Sequence, residues 1–170
     1  MQVYKITLLE KSHIKSDFSC GIEELDNYLK HTASQDIKRR IAAVYVLTEE
    51  QSDVVLGFYT LSSTIIPLDE LPGSISRKLP GYPLIPATLI GRLALDKKYQ
   101  FKGLGQILLV NALKKCFIKS KEIASMAVVV EAKNDKAKSF YEKLGFIPYV
   151  DKKDKLFITM KTISKIAFDG

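Results

Sequence analysis

Short apolar runs alternate with longer stretches in which apolar residues recur at helical spacing, and the alternation continues along the whole chain. Runs rich in β-branched and aromatic residues predict strands at 3–9, 42–48, 54–66, 88–95, 126–132, 146–150 and 156–163. Helical spacing or helix start and stop signals predict helices at 21–40, 105–120 and 135–144. Because no internal repeat is present, this order of elements predicts one α/β or α+β domain.

Two of the predicted strands should form a hairpin, because 42–48 and 54–66 flank the polar segment 49–53. The region between Pro67 and Pro86 contains five of the six prolines and two glycines. Such a composition excludes a long helix or strand and indicates an ordered loop. A loop that faces a substrate and a plain surface excursion are equally compatible with it.

The composition is that of an ordinary globular domain, with 170 residues of which 46% are hydrophobic. Cys20 and Cys116 lie far apart and the chain has only two histidines, so neither a disulfide framework nor a metal site is expected. No stretch approaches the roughly 20 apolar residues of a membrane span, and the N-terminus lacks an apolar signal core. We therefore expect a single cytoplasmic domain over residues 1–170.

The net charge of +7 favours a polyanionic partner, whether cofactor phosphates, nucleic acid or an anionic surface. Charge alone does not choose among these partners. The tightest group of cations is Lys38, Arg39 and Arg40, at the end of the first predicted helix. Most charge runs of this kind are simply solvated faces.

The most informative local feature is the segment 96–105, which joins a predicted strand to an amphipathic helix. Gly103 and Gly105 allow a tight turn and a close approach of backbone to ligand, and the first N–H groups of a helix attract phosphate oxygens. No Lys-Ser/Thr pair follows, which excludes a Walker loop, and Leu108 occupies the third small position of a dinucleotide fingerprint. Alone, the segment predicts an anion site and nothing more specific.

The order of elements, together with Gln100-x-x-Gly103-x-Gly105, resembles the GNAT family of N-acetyltransferases. A second segment, from Asn134 to Phe146, matches the family pattern Asn…Ala…Phe-Tyr…Gly-Phe. The resemblance implies a central mixed, mostly antiparallel sheet of six to seven strands, splayed between the fourth and fifth strands and flanked by about four helices. It also implies acetyl-CoA as the acetyl donor, without a metal.

In that family the pantetheine arm of acetyl-CoA pairs with the fourth strand, which here implies contacts to the backbone of Leu93, Ala94 and Leu95. The pyrophosphate should then contact the backbone amides of Gln100, Phe101, Lys102, Gly103, Leu104 and Gly105. Asn134 begins a predicted helix, so an N-cap role is compatible with the hydrogen bond to pantetheine that the resemblance implies. Phe101 departs from many relatives, which have glycine there, and this puts only the local backbone geometry in question.

The resemblance places Tyr141 near the thioester sulfur, where a phenol of ordinary pKa, about 10, can donate a proton to the leaving thiolate. By residue type alone, a tyrosine packed on the sheet is the commoner case, but the Phe140-Tyr141 context favours the general acid. A covalent route through cysteine is disfavoured, because Cys116 lies on an apolar helix stripe and Cys20 has no identifiable base.

Further segments are similar to the acetyltransferase toxins of type II toxin–antitoxin modules, which acetylate the amino group of aminoacyl-tRNA. They are Phe18-x-Cys20-Gly21-x-x-x-Leu25-Asp26-x-Tyr28-Leu29, Gly57-Phe58-Tyr59-Thr60-Leu61, Gly91-Arg92-Leu93-Ala94-Leu95-Asp96-Lys97-x-Tyr99-Gln100 and Leu156-Phe157-x-x-Met160-Lys161. This resemblance implies aminoacyl-tRNA as substrate, a small ribbon-helix-helix antitoxin as partner and a homodimer.

A tRNA substrate agrees with the basic charge, because cationic side chains gain affinity by releasing counterions from phosphates. An α-amino group has a pKa of about 7.7–8.0, so much of it is neutral without a strong protein base. We expect Arg92 to contact the acceptor end of tRNA, with a structural salt bridge as an equal alternative. Lys38, Arg39 and Arg40 are expected to contact the tRNA backbone.

Two other functions stay open at this point. One is an acetyltransferase that acts on a small-molecule or protein amine. The other is a non-catalytic module that has kept the fold for binding, although the presence of Tyr141, Asn134 and the glycine turn argues against it.

Overall fold

In the computed structural model, the described residues are 2–168. The strands are β1 (Tyr4–Leu8), β2 (Ala43–Glu49), β3 (Gly57–Pro67), β4 (Leu84–Leu95), β5 (Ala127–Glu131), β6 (Ile147–Pro148) and β7 (Lys155–Thr159). The helices are α1 (Glu23–Asn27), α2 (Ala33–Lys38), α3 (Gly73–Ser76), α4 (Leu104–Lys119), α5 (Asp135–Leu144) and α6 (Met160–Phe168), and a π-helical turn, Tyr28–Thr32, joins α1 to α2. No helix in this part of the chain is long and apolar enough to cross a membrane.

The strands form one sheet in the order β1-β2-β3-β4-β5-β7-β6. β2 and β3 pair antiparallel and confirm the predicted hairpin, while β4 pairs with β5 in parallel from Ala87↔Ala127 to Leu89↔Val129. The pairs β1–β2, β5–β7 and β6–β7 are antiparallel. The mixed, mostly antiparallel sheet that the sequence predicts is therefore confirmed. With α1, the π turn and α2 counted as one continuous segment, four longer helices and the short α3 flank it, in line with the prediction.

The chain comprises two compact units, each with a core of its own. Unit 1 contains the chain up to Ser62 and Ile90–Ala112, and unit 2 contains Ser63–Leu89 and the chain from Leu113 onward. The core of unit 1 includes Phe18, Tyr28, Leu29, Val44, Val46, Phe58 and Ala94. The core of unit 2 includes Ile66, Leu71, Ile85, Ala127, Val129, Tyr149 and Phe157. The expectation of a single domain over residues 1–170 stays a prediction.

The helices predicted at 21–40 and 135–144 are both present, and local sequence signals set the bounds of the second. The helix predicted at 21–40 is realised as α1, the π turn and α2, and it buries Tyr28, Leu29 and Ala33. The bounds of α5 agree with the sequence, because the Asn134 side chain accepts a hydrogen bond from the Ala137 N–H at 2.8 Å and Gly145 ends the helix with φ +112°.

The strand predicted at 156–163 is wrong in its second half, because β7 ends at Thr159 and α6 begins at Met160. The Thr159 hydroxyl accepts the N–H of Thr162 at 3.2 Å, which is the geometry of a helix N-cap. On α4, Leu104, Leu108, Ala112 and Cys116 recur at helical spacing and are buried, whereas Ile107 is 51% exposed. The strand bounds differ by a few residues, since β3 begins at Gly57 and β4 at Leu84.

The proline-rich region contains only a 3₁₀ turn, Leu68–Glu70, and the single-turn α3 before β4 begins at Leu84, so the exclusion of a long element is confirmed. Its anchor is Glu70, a buried carboxylate that accepts the N–H of Asp151 at 2.8 Å. The Glu70 carbonyl also accepts the N–H of Val150 at 3.0 Å. The hydrogen bond from the Asp151 N–H offsets part of the cost of burying the Glu70 carboxylate.

Gly57 tests the packing of unit 1, because a Cβ there would lie 2.7 Å from Leu95 Cδ2 and 3.0 Å from the carbonyl oxygen of Ala94. Since the Ala94 oxygen belongs to the backbone, Gly57→Ala forces a strand to shift. We expect it to lower the free energy of unfolding in urea by about 1–3 kcal/mol. Gly81→Ala is the control, because nothing lies within 4 Å of its Cβ, and a change within about 0.5 kcal/mol is expected. Equal losses from both variants would contradict the close approach at Gly57.

Candidate functional site

The glycine turn, Gln100–Gly105, leads from β4 into the N-terminus of α4. Phe101 and Gly103 both adopt left-handed backbone conformations, with φ of +63° and +81°. Glycine adopts this conformation without strain, which explains why many relatives have glycine at the position of Phe101. A Cβ on Gly103 would meet nothing within 4 Å, so the backbone there is open to an approaching group.

The charge around the glycine turn favours an anion. Leu104 is buried and begins α4, whose first N–H groups have no acceptor within the helix. Beside them Phe101 is 87% exposed, and the Lys102 ammonium lies 5.5 Å from the centroid of the Tyr99 ring. N–H groups without an acceptor in the helix, at the positive end of a 16-residue helix and next to a lysine, are an arrangement that favours phosphate.

A buried carboxylate, Asp96, fixes the segment that enters the turn. Its Oδ1 accepts the N–H of Lys98 at 3.0 Å, and its Oδ2 accepts the N–H of Ser19 at 3.1 Å. The Lys97 N–H in turn donates to the Ser19 carbonyl at 2.8 Å. Because Asp96 is only 7% exposed, these backbone donors are what make its burial tolerable. Asp96 lies in the toxin-like segment 91–100, but the sequence alone contains no signal for its role.

The Gln100 side chain is structural. Its Nε2 donates to the carbonyl oxygens of Leu95 at 2.9 Å and Cys20 at 3.0 Å, so both of its N–H donors are used on the backbone. The Cys20 N–H then donates to Asp26 Oδ1 at 2.8 Å. We call the contacts of Asp96 and Gln100 with Ser19 and Cys20 the Asp96–Gln100 clamp. The Gln100 side chain is therefore not available to a ligand, and the Gln100 N–H makes a long hydrogen bond of 3.5 Å to the Lys97 carbonyl.

The residues expected to pair with pantetheine lie at the end of β4. Ala94 is buried in the core of unit 1, whereas Leu93 and Leu95 are half-buried. The carbonyl of Leu95 already accepts the Gln100 side chain. The backbone hydrogen bonds expected of this strand toward a cofactor therefore concern Leu93, Ala94 and the N–H of Leu95.

Arg92, also on β4, stacks on an aromatic ring. Its guanidinium carbon lies 3.5 Å from the centroid of the Tyr28 ring, which is a cation–π contact. The Tyr28 hydroxyl donates to Asp36 Oδ2 at 2.8 Å, and its ring stacks with Phe58 at 6.2 Å between centroids. Burial and the hydrogen bond to Asp36 raise the pKa of Tyr28 to about 12, against the opposing charge of Arg92. Sequence reasoning missed Tyr28 and Asp36.

The basic group Lys38, Arg39 and Arg40 lies at the end of α2, and all three residues are exposed. Arg40 has φ +59°, and the N–H groups of Arg39 and Arg40 donate to the carbonyls of Gln35 and Ile37. Their backbones are thus fixed while their side chains face solvent. The contact with tRNA that the sequence predicts for them stays a prediction.

Asn134 and Tyr141 belong to unit 2, on α5. Asn134 is the N-cap, as expected, and it is exposed. Tyr141 is 9% exposed, and its ring packs against Phe140 and Phe146 with centroids 5.4 and 5.3 Å apart. Burial raises the pKa of Tyr141 to about 12, so its phenol carries a proton throughout the physiological range. A protonated phenol is what a general acid requires.

Both cysteines are buried, and neither has the surroundings of a nucleophile. Burial and the neighbouring Asp26 raise the pKa of Cys20 to about 11, and burial raises the pKa of Cys116 to about 12. The thiolate is therefore scarce at neutral pH, which agrees with the expectation that neither forms a covalent intermediate. Within residues 2–168, no group of three or more His, Cys, Asp or Glu side chains is arranged to hold a metal ion.

Comparison with known sequences adds to this geometry. The family described as FR47-like protein matches residues 84–155, a stretch that includes β4, the glycine turn and α5. A probable toxin TacT from Sinorhizobium fredii (strain NBRC 101917 / NGR234) is 31% identical over 161 residues, covering 91% of this chain and 89% of that relative. A tRNA-acetylating toxin from Mycobacterium tuberculosis (strain ATCC 25618 / H37Rv) is 33% identical over 131 residues, covering 77% and 76%.

Solved structures give the same assignment. KacT, crystallised with one tyrosine replaced by phenylalanine, superposes with a TM-score of 0.91 at 32% identity, covering 96% of this chain and 99% of that one. AtaT complexed with acetyl-methionyl-tRNAfMet superposes with a TM-score of 0.89 at 32% identity, covering 95% and 97%. On this similarity in sequence and in fold, the chain belongs to the acetyltransferase toxins of the GNAT family.

Proposed function

We propose that this chain transfers the acetyl group of acetyl-CoA to the α-amino group of aminoacyl-tRNA and thereby acts as a toxin that blocks translation. The observation that carries the proposal is the similarity over 95% of the chain to AtaT, whose structure holds acetyl-methionyl-tRNAfMet. The tRNA-acetylating toxin from M. tuberculosis supports the same reaction. Because tRNA is charged and used in the cytoplasm, the toxin would act there.

The glycine turn has the features that are needed to bind the pyrophosphate of the donor, acetyl-CoA. AtaT has been solved with acetyl-CoA, and the turn in this chain offers what a pyrophosphate needs: left-handed backbone at Phe101 and Gly103, a helix N-terminus and Lys102. We assign the pyrophosphate to the amides of Gln100 to Gly105, and the pantetheine arm to Leu93, Ala94 and Leu95. Asn134 keeps its Nδ2 group as a donor to that arm while its Oδ1 caps α5.

The reaction needs a neutral amine, stabilisation of the oxyanion and a proton for the leaving sulfur. The amine nitrogen attacks the thioester carbonyl carbon and the C–S bond breaks. The sulfur takes up one proton from an acid, and the nitrogen loses one proton, which restores the acid. We assign the donation to sulfur to the phenol of Tyr141. The pKa of Tyr141 is about 12, whereas that of an ordinary thiol is about 8.5, so donation of the phenol proton to sulfur is unfavourable by itself. The phenol therefore gives up its proton only as it receives another from the nitrogen.

The acceptor and the partners are assigned by charge and by similarity. Arg92, Lys38, Arg39 and Arg40 are proposed to bind tRNA phosphates, since cationic side chains at exposed or half-buried positions gain affinity by counterion release. AtaT has been solved with the C-terminus of the antitoxin AtaR. We propose that this toxin is likewise held by an antitoxin, of the ribbon-helix-helix type, and that it forms a homodimer.

The substrate is tested by incubating the protein with labelled acetyl-CoA and a pool of charged tRNAs, with uncharged tRNA and spermidine as alternatives. We expect label on charged tRNA alone, because uncharged tRNA lacks the α-amino group. Acetylation should fall at least about tenfold between 50 and 200 mM salt, since phosphate contacts are lost as counterions compete. Preferential acetylation of spermidine would instead indicate an acetyltransferase of small amines.

The acid is tested with Tyr141→Phe, which removes the phenol and keeps the ring. We expect kcat to fall about 100-fold while the Kd for acetyl-CoA changes less than about twofold, because the loss of a general acid affects the reaction and not the binding. In the wild type, the rate should not decline up to pH 10, because the raised pKa of about 12 keeps Tyr141 protonated.

Tyr149→Phe is the matched control for this substitution. Tyr149 is also buried in unit 2 and its pKa is also raised to about 12, yet no role in the reaction is assigned to it. Its kcat should stay within about threefold of the wild type. Unchanged kcat in Tyr141→Phe would remove Tyr141 from the mechanism.

The clamp is tested with Asp96→Asn, which replaces one carboxylate oxygen by an NH2 group that faces a backbone donor. In this variant the segment that enters the glycine turn should lose its fixed conformation. The Kd for acetyl-CoA, measured by calorimetry, should then rise about tenfold, or about 1.4 kcal/mol. Asp26→Asn is the control, because Asp26 holds Cys20 from the α1 side without touching the turn. Its Kd should change less than about twofold, and equal changes in both variants would show general loosening of unit 1.

A further inference from the structure

Tyr28 is a residue of the toxin-like sequence segments to which the proposed reaction gives no role. It begins the π-helical turn between α1 and α2, where one residue more than in an α-helix is accommodated per turn. Such turns occur frequently at functional sites. Here the side chain is an almost wholly buried tyrosine, 6% exposed, whose ring carries the guanidinium of Arg92.

The ring of Tyr28 is fixed by two further contacts. Its hydroxyl donates to Asp36 Oδ2 at 2.8 Å across one side of the helical segment, and its plane lies within 17° of that of Phe58. Asp36 is itself tied to the chain that follows the basic group, because its carbonyl accepts the N–H of Ile41 at 2.8 Å. Tyr28 therefore has little freedom to rotate, and a guanidinium that lies on it has a defined plane.

The stacked position also determines how Arg92 can interact. A guanidinium at 3.5 Å from a ring centroid uses its π face in the contact and keeps its N–H groups at the edge. Those edge donors match two oxygens of one phosphate group, a geometry that lysine does not offer. The Tyr28 ring thus restrains the guanidinium of the half-buried Arg92 and leaves the edge of that group for other partners.

We propose that Tyr28 is a positioning residue, which with Asp36 holds Arg92 in the orientation that binds a phosphate at the acceptor end of charged tRNA. This inference rests on the proposed function, since it assigns how one cation of that site is kept in place. Tyr28 acts through Arg92 and not on the reacting atoms. The ligand chemistry is that of a phosphodiester, recognised by two parallel N–H groups.

The test measures KM for charged tRNA and for acetyl-CoA in Tyr28→Leu, Tyr28→Phe and Arg92→Gln. We expect Tyr28→Leu to raise the KM for charged tRNA about tenfold with the KM for acetyl-CoA unchanged. Tyr28→Phe keeps the ring and loses only the hydrogen bond to Asp36, so it should raise KM by an intermediate factor of about threefold. The affinity for charged tRNA should depend less steeply on salt in both Tyr28→Leu and Arg92→Gln. The magnitude of the slope of log affinity against log salt should decrease by about one.

A double variant separates positioning from stability. If Tyr28 acts through Arg92, Tyr28→Leu adds less than about twofold to KM in an Arg92→Gln background. Tyr45→Leu, the same substitution at a stacked tyrosine of unit 1, is the structural control and should leave KM for charged tRNA unchanged. Where Tyr28→Leu does not fold, Tyr28→Phe in the two backgrounds gives the same comparison.

Each outcome bears on a different statement. If the wild type acetylates charged tRNA but Tyr28→Leu retains its KM, or raises it equally with and without Arg92, the positioning role is wrong and the proposed function stands. If the wild type does not acetylate charged tRNA at all, the proposed function itself is wrong, and the positioning role is wrong with it.

Discussion

The constraint on which unit 1 depends is the burial of the Asp96 carboxylate. A charge at 7% exposure must find hydrogen-bond donors, and Asp96 finds them on the backbone of Ser19 and Lys98. Two segments 77 residues apart are thereby held together, one leading to α1 and the other to the glycine turn. The Gln100 side chain strengthens the same junction by donating to the carbonyl of Cys20. The shape of the glycine turn is thus set by the chain before it as much as by its own glycines.

The contacts around this junction explain why several of the segments that resemble the toxins occur together, because their residues pack against one another. Phe18 packs edge-on against Phe58 at 5.7 Å, and the Cys20 N–H is taken by Asp26. Tyr28 in turn stacks on Phe58 and supports Arg92. The three segments around Cys20, Phe58 and Arg92 therefore meet inside unit 1. Much of that sequence pattern therefore reflects how the scaffold of unit 1 is assembled.

What the sequence predicts well is what local signals determine. The bounds of α5 follow from Asn134 and Gly145, and the glycine turn follows from a strand, two glycines and a helix in order. The apolar run to Ile163 misled, because strand and helix are not separated by periodicity in so short a stretch and the Thr159 cap decides between them. The contacts of Asp96 with Ser19 and of Gln100 with Cys20 were not predictable, since these partners lie 77 and 80 residues away.

Three buried tyrosines show why a raised pKa alone does not identify the general acid. Tyr28, Tyr141 and Tyr149 all have a pKa raised to about 12. The hydroxyl of Tyr28 donates to Asp36, and the pKa of Tyr149 is raised by burial and, to a lesser extent, by the charge of Glu70. For Tyr141, burial alone raises the pKa, among aromatic neighbours that accept no strong hydrogen bond. The raised pKa is thus common to all three phenols, and the proposed role of Tyr141 rests on the resemblance of its segment to the acetyltransferases and not on its pKa.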